Sequence, residues 1–250
     1  MYNHGFLIRA KSVTIGFDLI SGKTLGIEEF SIADDDMRRL INQCDVLFVS
    51  HYHGDHAEEW IAQSFIDLGK PVAAPPGLWK DKTIYAQITH LRREAHTKQI
   101  LPVQGGKQKL EVVVYPGHQG ESIENNVVLV FTPESLSFSQ MGDQSNIEDF
   151  KWIDEVGNNH VVDVLMPNCW TTDIARVAKG FNPALIITGH ENEMAHTIDH
   201  REPYWLTYQR REGSDRFGGS SGIGYDTPLI LMTWGESYYY KRESFQSFLK

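Results

Sequence analysis

Four side chains able to hold a metal ion, His51, His53, Asp55 and His56, fall within the six residues His51-Tyr52-His53-Gly54-Asp55-His56. Side chains at i and i+2 of an extended segment point to one side, so His51 and His53 can converge on one ion. A turn at Gly54 swings Asp55 and His56 toward a neighbouring position. Imidazole and carboxylate without thiolate is the donor mix of a catalytic zinc, manganese or iron site rather than a cysteine-rich structural one. Two such ions held about 3.5–4 Å apart lower the pKa of a shared water to about 7 and polarise the substrate oxygen that receives charge. The chemistry is hydrolysis, and it needs no serine or cysteine nucleophile.

Four donors cannot complete two ions, so further ligands must come from other strand ends facing the same edge. Gly117-His118, Gly142-Asp143 and Gly189-His190 each place a polar residue just after a glycine where a predicted strand stops. A carboxylate has two oxygens to offer two ions, which suits Asp143 to a bridge. Asp55 can hold a metal while accepting a proton from the attacking water.

The elements that must position these residues follow from the apolar pattern. Phe6–Ile8 and Val13–Phe17 read as an antiparallel hairpin, and Asp45–Ser50 as a strand buried on both faces that ends at the histidine cluster. Trp60, Ile61, Phe65 and Leu68 recur at helical spacing over Ala57–Leu68, with Gly69 and Pro71 as the stop. Strands are expected at 110–115, 126–131, 135–139, 161–166 and 184–188, with helices over 172–179 and 194–209. Strands and helices alternate, with hairpins where the crossovers are missing, which predicts mixed β-sheets flanked by helices in one α/β domain spanning residues 1–250.

At this point the pattern resembles the metallo-β-lactamase superfamily, whose signature is H-x-H-x-D-H after a strand, then a lone His, a Gly-Asp and a late His. Here these are His51–His56, His118, Gly142-Asp143 and Gly189-His190, in that order. The opening is most similar to sugar-phosphate lactonase-like and other small metal-dependent hydrolases. Many members have one more strand ahead of the segment that aligns with His4–Ile8. The resemblance implies a four-layer α/β/β/α sandwich and a dinuclear centre. His51, His53 and His118 would take one ion, Asp55, His56 and His190 the other, and Asp143 would bridge them. Asp18 matches an early aspartate that orients the metal ligands. Two divalent ions are implied, zinc first and manganese or iron as alternatives. The activity implied is hydrolysis of a small ester, lactone, phosphoester or thioester. Relatives on this scaffold that oxidise thiols or persulfides with one iron, and a noncatalytic metal-stabilised binding protein, are the competing readings.

Other features read more plainly. His4, His90, His96, His160, His196 and His200 are expected at the surface or behind the ligands; His196 and His200 are spaced i, i+4, yet Thr197 stands where a zincin needs glutamate. His200 or Arg201 can face the cleft beside His190 and contact substrate, and Trp170 can wall the pocket or fill the core. Gly218-Gly219-Ser220-Ser221-Gly222 matches G-x-S-x-G in letters but lies in a Gly/Ser loop. Tyr238–Tyr240 read as packing or a contact between copies of the chain. The net charge of −10 would repel a polyanion, which argues against nucleic acid and for a small-molecule substrate. Two cysteines, Cys44 and Cys169, are too few for a disulfide framework. No signal peptide or membrane-length apolar run is visible, so the expected location is the cytoplasm, away from any membrane.

Overall fold

The computed structural model describes residues 4–23, 31–169, 171–190, 227–232 and 235–242. Two sheets carry the fold. The first has four strands in the order β1 (Phe6–Arg9), β2 (Thr14–Phe17), β3 (Val46–Phe48), β4 (Val72–Ala73). The β1–β2 pair is the expected antiparallel hairpin, while β2, β3 and β4 run parallel. The second has seven strands: β5 (Gln99–Val103), β6 (Gln108–Gln119), β7 (Ile123–Phe131), β8 (Ser137–Gln140), β9 (Val164–Met166), β10 (Leu185–Ile187) and β11 (Leu229–Ile230). From β5 to β8 the pairing is antiparallel, and from β8 to β11 it is parallel.

Alternation along the strands splits the apolar residues into three cores, which makes four layers. Ile15, Phe17, Val46 and Phe48 of the first sheet meet Val112, Val114, Val128, Val130 and Met166 of the second, with the Phe17 and Phe48 rings stacked at 5.3 Å. The residues between them face outward, as a two-residue period requires. Leu47 and Val49 pack under helices α1 (Asp34–Gln43) and α2 (Glu59–Asp67) through Met37, Ile41, Ile61 and Phe65. Val113, Tyr115, Val127, Leu129 and Leu165 pack under α3 (Phe150–Ile153), α4 (Val156–Asn159) and α5 (Ile174–Phe181) through Trp152, Val156, Val177 and Phe181. The order helix, sheet, sheet, helix is the expected sandwich.

Helix ends follow local chemistry. Asp34, Asp35 and Asp36 occupy the first turn of α1, where the helix dipole favours negative charge. Asp173 caps α5 by accepting from the Arg176 N–H at 2.9 Å, and Asn182 ends it in the left-handed conformation. Strands β6 and β7 both run longer than their apolar patterns predict. β6 continues through Pro116 and Gly117 in register with Asn126 and Asn125, so His118 lies inside the strand, opposite Glu124, rather than after it. Pro116 is accommodated because β5 pairs with β6 only as far as Val112, which leaves an open edge where a missing N–H costs no ladder bond. Among the described residues no helix is long and apolar enough to cross a membrane.

Candidate metal centre

The candidate donors gather where strands of both sheets end. Asp18 follows β2, Ser50 and His51 follow β3, His118 closes β6, Asp143 follows β8 and His190 follows β10. Close approach is needed to bring the sheets together here. Gly142 has φ +52°, and a Cβ on it would lie 2.2 Å from Asn125 Oδ1 and 2.5 Å from Ser50 Cβ. Only glycine fits between those neighbours, and its carbonyl accepts from Asn168 Nδ2 at 3.0 Å. Asp143 is then held by its own N–H, which donates to Asn125 Oδ1 at 2.9 Å, and by Gln119 Nε2, which donates to its Oδ2 at 3.0 Å.

A buried hydrogen-bond network fixes which nitrogen of His51, His56 and His118 is free to bind. Asp18, fully buried, accepts from Ser50 N–H and Ser50 Oγ at 2.7 Å each, from Gln140 Nε2 at 2.7 Å and from His56 Nδ1 at 2.8 Å. The single Ser50 hydroxyl proton goes to Asp18, so Ser50 Oγ must accept from His51 Nδ1, 3.0 Å away. His56 and His51 therefore both present Nε2 as a lone pair. Buried Asp149 does the same for His118, accepting from its Nδ1 at 2.9 Å and from its backbone N–H at 2.8 Å. Carboxylate partners of this kind orient metal-binding histidines and raise their basicity.

Two donor sets result, each with ligand atoms within 4.8 Å of one another. One comprises His51, His53 and Asp143; the other comprises His56, Asp143, His190 and His4, with Asp143 common to both. Asp55 closes on the second set, its Oδ2 lying 3.3 Å from His56 Nε2 and 3.8 Å from His190 Nε2. His56 Nε2 faces His190 Nε2 at 3.1 Å and Asp143 Oδ1 at 3.2 Å, and Asp143 Oδ1 stands 2.8 Å from His190 Nε2. His51 Nε2 and Asp143 Oδ1 are buried with no hydrogen-bond partner. Lone pairs and carboxylate oxygens packed this closely repel unless a cation or a proton sits among them. The residues fit a metal centre.

Compared with models of protein families and with curated proteins, the sequence matches none. Solved structures match over nearly the whole chain. A metallo hydrolase from the hyperthermophilic archaeon Ignicoccus hospitalis is 16% identical, with a TM-score of 0.66 over 96% of this chain and 97% of that one. The fold is the metallo-β-lactamase fold. An isothiocyanate hydrolase from Delia radicum gut bacteria superposes with a TM-score of 0.60 at 12% identity, over 96% of this chain and 97% of that one. CmlA, a diiron β-hydroxylase from Streptomyces venezuelae, gives a TM-score of 0.58 at 14% identity, over 92% of this chain and 51% of that one.

Electrostatics at the sheet edge of this metallo-β-lactamase fold couple the donors tightly. Burial alone would raise the carboxyls, but His56 and Ser50 hold Asp18 below its usual 3.8, and His190 and His56 hold Asp143 well below it. Asp55 is likewise lowered against its burial by His56 and His190. Burial opposes charge on His56, yet Asp143, Asp18 and Asp55 raise it well above 6.5. Burial and neighbouring His56 lower His51, and burial with His190 and His56 pushes His4 down to about 3.

These shifts set a pH dependence. The carboxylates' contribution to stability is present above pH 3.8 and lost below it, because folding lowers their pKa. That of His56 is complete below pH 6.5 and lost as pH climbs through its raised folded value. Below pH 6.5 the unfolded chain also takes up protons that buried His4 and His51 resist, so chelator-treated protein is expected to melt highest near pH 6.5 and to weaken toward both acid and alkaline pH, as thermal denaturation across pH will show. A metal-free melting temperature that keeps rising on the alkaline side contradicts this account.

Most of the expected residues meet. His51, His53, Asp55, His56, Asp143 and His190 come together, and Asp18 accepts from His56 Nδ1 behind them. His118 belongs to neither donor set; it is one-third exposed at the rim, joined to the centre through its neighbour Gln119. His4, expected at the surface or behind the ligands, is fully buried in the second set. Ser50, Gln140 and Asp149 carry the orienting network without having been singled out; the strand-end position of Ser50 was the available signal. Trp170, His196, His200, Arg201 and the Gly218–Gly222 stretch lie outside the described residues.

Proposed function

We propose that the chain is a dinuclear metal-dependent hydrolase of a small ester, lactone, phosphoester or thioester. The observation that carries this reading is the pair of donor sets sharing Asp143, with imidazole tautomers preset by Asp18, Ser50 and Asp149. In this reading His51, His53 and His118 would hold one ion, Asp55, His56 and His190 the other, and Asp143 would serve both. Zinc suits the nitrogen-rich donors, with manganese or iron as alternatives. When bound, the ions supply an acidified water at neutral pH and a sink for charge developing on the substrate oxygen. The chain supplies the rest. Asp55, buried beside His56, takes up the proton released by the attacking water. Gln119 keeps the Asp143 carboxylate oriented, and Asp149, by accepting from His118 Nδ1, leaves Nε2 as the lone pair of that ring. His51, His56 and His190 are buried, while His53 and His118 are half-buried, so in this reading a small substrate approaches from the side of His53 and His118.

Metal analysis of purified protein is expected to find about two ions per chain, and their removal by a chelator to abolish turnover that zinc restores. Ester, lactone, phosphodiester and thioester panels identify the substrate class; an isothiocyanate joins them because a protein of this fold hydrolyses one. A diiron hydroxylase also shares the fold, which keeps a redox reading in play. The two full donor sets support hydrolysis over oxidation of a thiol or persulfide by one iron. Oxygen uptake with a glutathione-type thiol, at one iron per chain, would overturn the hydrolase reading. Bound metal with no rate enhancement on any panel would leave a metal-stabilised binding protein.

A further inference from the structure

Resting on the dinuclear reading, we propose that His4 is a further protein ligand at the metal position formed by His56, Asp143 and His190. Its imidazole is wholly buried, and neither Nδ1 nor Nε2 has a hydrogen-bond partner. A histidine kept in a core for structural reasons finds a partner for at least one nitrogen. His4 instead places a ring nitrogen within 4.8 Å of donor atoms of His56, Asp143 and His190. Its ring lies 5.5 Å from the His190 ring and 6.0 Å from that of His56, and the edge-on ring of Phe6 at 5.5 Å backs it.

The backbone is shaped to admit this ring. A Cβ on Gly189 would fall 1.9 Å from His4 Cδ2 and 2.7 Å from its Nε2, so the strand end that presents His190 is bare where His4 enters. The antiparallel register of β1 on β2, with Phe6 opposite Phe17, carries the chain before Phe6 past the end of β2 to the edge where Asp18 stands. His4 reaches the centre by the same sheet geometry that delivers Asp18.

The two positions then differ. His4, His56, Asp143 and His190 are all buried, which makes the inner position a nitrogen-rich cage of protein donors. The position of His51, His53 and Asp143 has a half-buried member, His53. The inner ion is the slowly exchanging one, and the outer position is the one open to substrate.

The test uses the full chain, stripped with a chelator and titrated with Zn²⁺ against a fluorescent competitor. Wild type is expected to show a tight and a weaker class of site. His4→Gln and His4→Phe should each weaken the tight class by about 100-fold or more and leave the other unchanged, with a matching change in the Co²⁺ d–d spectrum of that class. Gly189→Ala, which drives a methyl into the intact His4 ring, should weaken the same class. His4→Phe guards against misfolding: it removes two unpartnered nitrogens from the core and should melt no lower than wild type when metal-free. An unchanged tight class and Co²⁺ spectrum in both His4 variants overturns the proposal. His56→Ala separates the two claims. If it abolishes the tight class while the His4 variants do not, only the role of His4 fails. If it too leaves that class intact, the dinuclear reading fails with it.

Discussion

Asp143→Ala is expected to lower turnover by about 10³-fold or more and to bring bound metal below two ions per chain. Asp143 alone belongs to both donor sets among the described residues. Its Oδ1 lies 2.8 Å from His190 Nε2 and 3.2 Å from His56 Nε2, and its Oδ2 lies 3.4 Å from His51 Nε2. Removing it leaves each position short of an anionic oxygen and leaves the imidazoles without the charge that offsets a dication. Asp143→Asn keeps the shape, the Asn125 contact to its backbone and one neutral oxygen, so it should retain more metal than the alanine variant while remaining slow. Steady-state kinetics and metal analysis on the same preparations decide the matter. Full activity in the alanine variant would remove Asp143 from the shared position.

Asp18→Ala should act on stability as strongly as Asp143→Ala acts on rate. The carboxylate satisfies four donors: the Ser50 N–H, the Ser50 hydroxyl, Gln140 Nε2 and His56 Nδ1. Each donor left buried without a partner costs about 1–3 kcal/mol, and with partial relaxation the sum should reach about 4 kcal/mol, at the far end of what one substitution does. The same change frees the His51 and His56 tautomers, so metal affinity should fall by about 10–100-fold. Asp18→Asn keeps an acceptor but sets an amide N–H₂ against other donors, and should fall between. Chemical denaturation of the metal-free protein measures the first effect and chelator competition the second. An unaltered denaturation midpoint in Asp18→Ala would mean that Asp18 is not the root of the network.

How much of this was legible in the sequence depends on how locally each feature is determined. The His51–His56 cluster could be read because its donors share one loop after one apolar strand, and Asp143 and His190 because a glycine marks each strand end. The network behind them is set by sheet pairing. Gln140 meets Asp18 across 122 residues, and Asp149 meets His118 across 31, through hydrogen bonds that no spacing rule encodes. His4 had no signal beyond being a histidine near a strand, since its burial depends on Gly189, far along the chain. Among the elements, α1 was missed because only Met37 and Ile41 of its ten residues are buried, too thin a stripe to stand out from its charges. β5 was missed because Pro102 and exposed Ile100 break its alternation at an edge. The four layers themselves need three separate cores, which become visible only once alternate residues of β6 and β7 are seen to face opposite ways.

The centre draws its side chains from both sheets, and His56 and His190, whose rings touch, are 134 residues apart. Closing so large a loop costs entropy that a few polar contacts cannot repay, so both sheets must already be packed before the donors meet. During synthesis the histidine-rich loop emerges early yet does not meet His190 until β10 docks beside β9 in the second sheet. A cation held among His56, Asp143 and His190 would therefore mark chains in which β10 has docked, whereas the His51, His53 and Asp143 set makes no such demand.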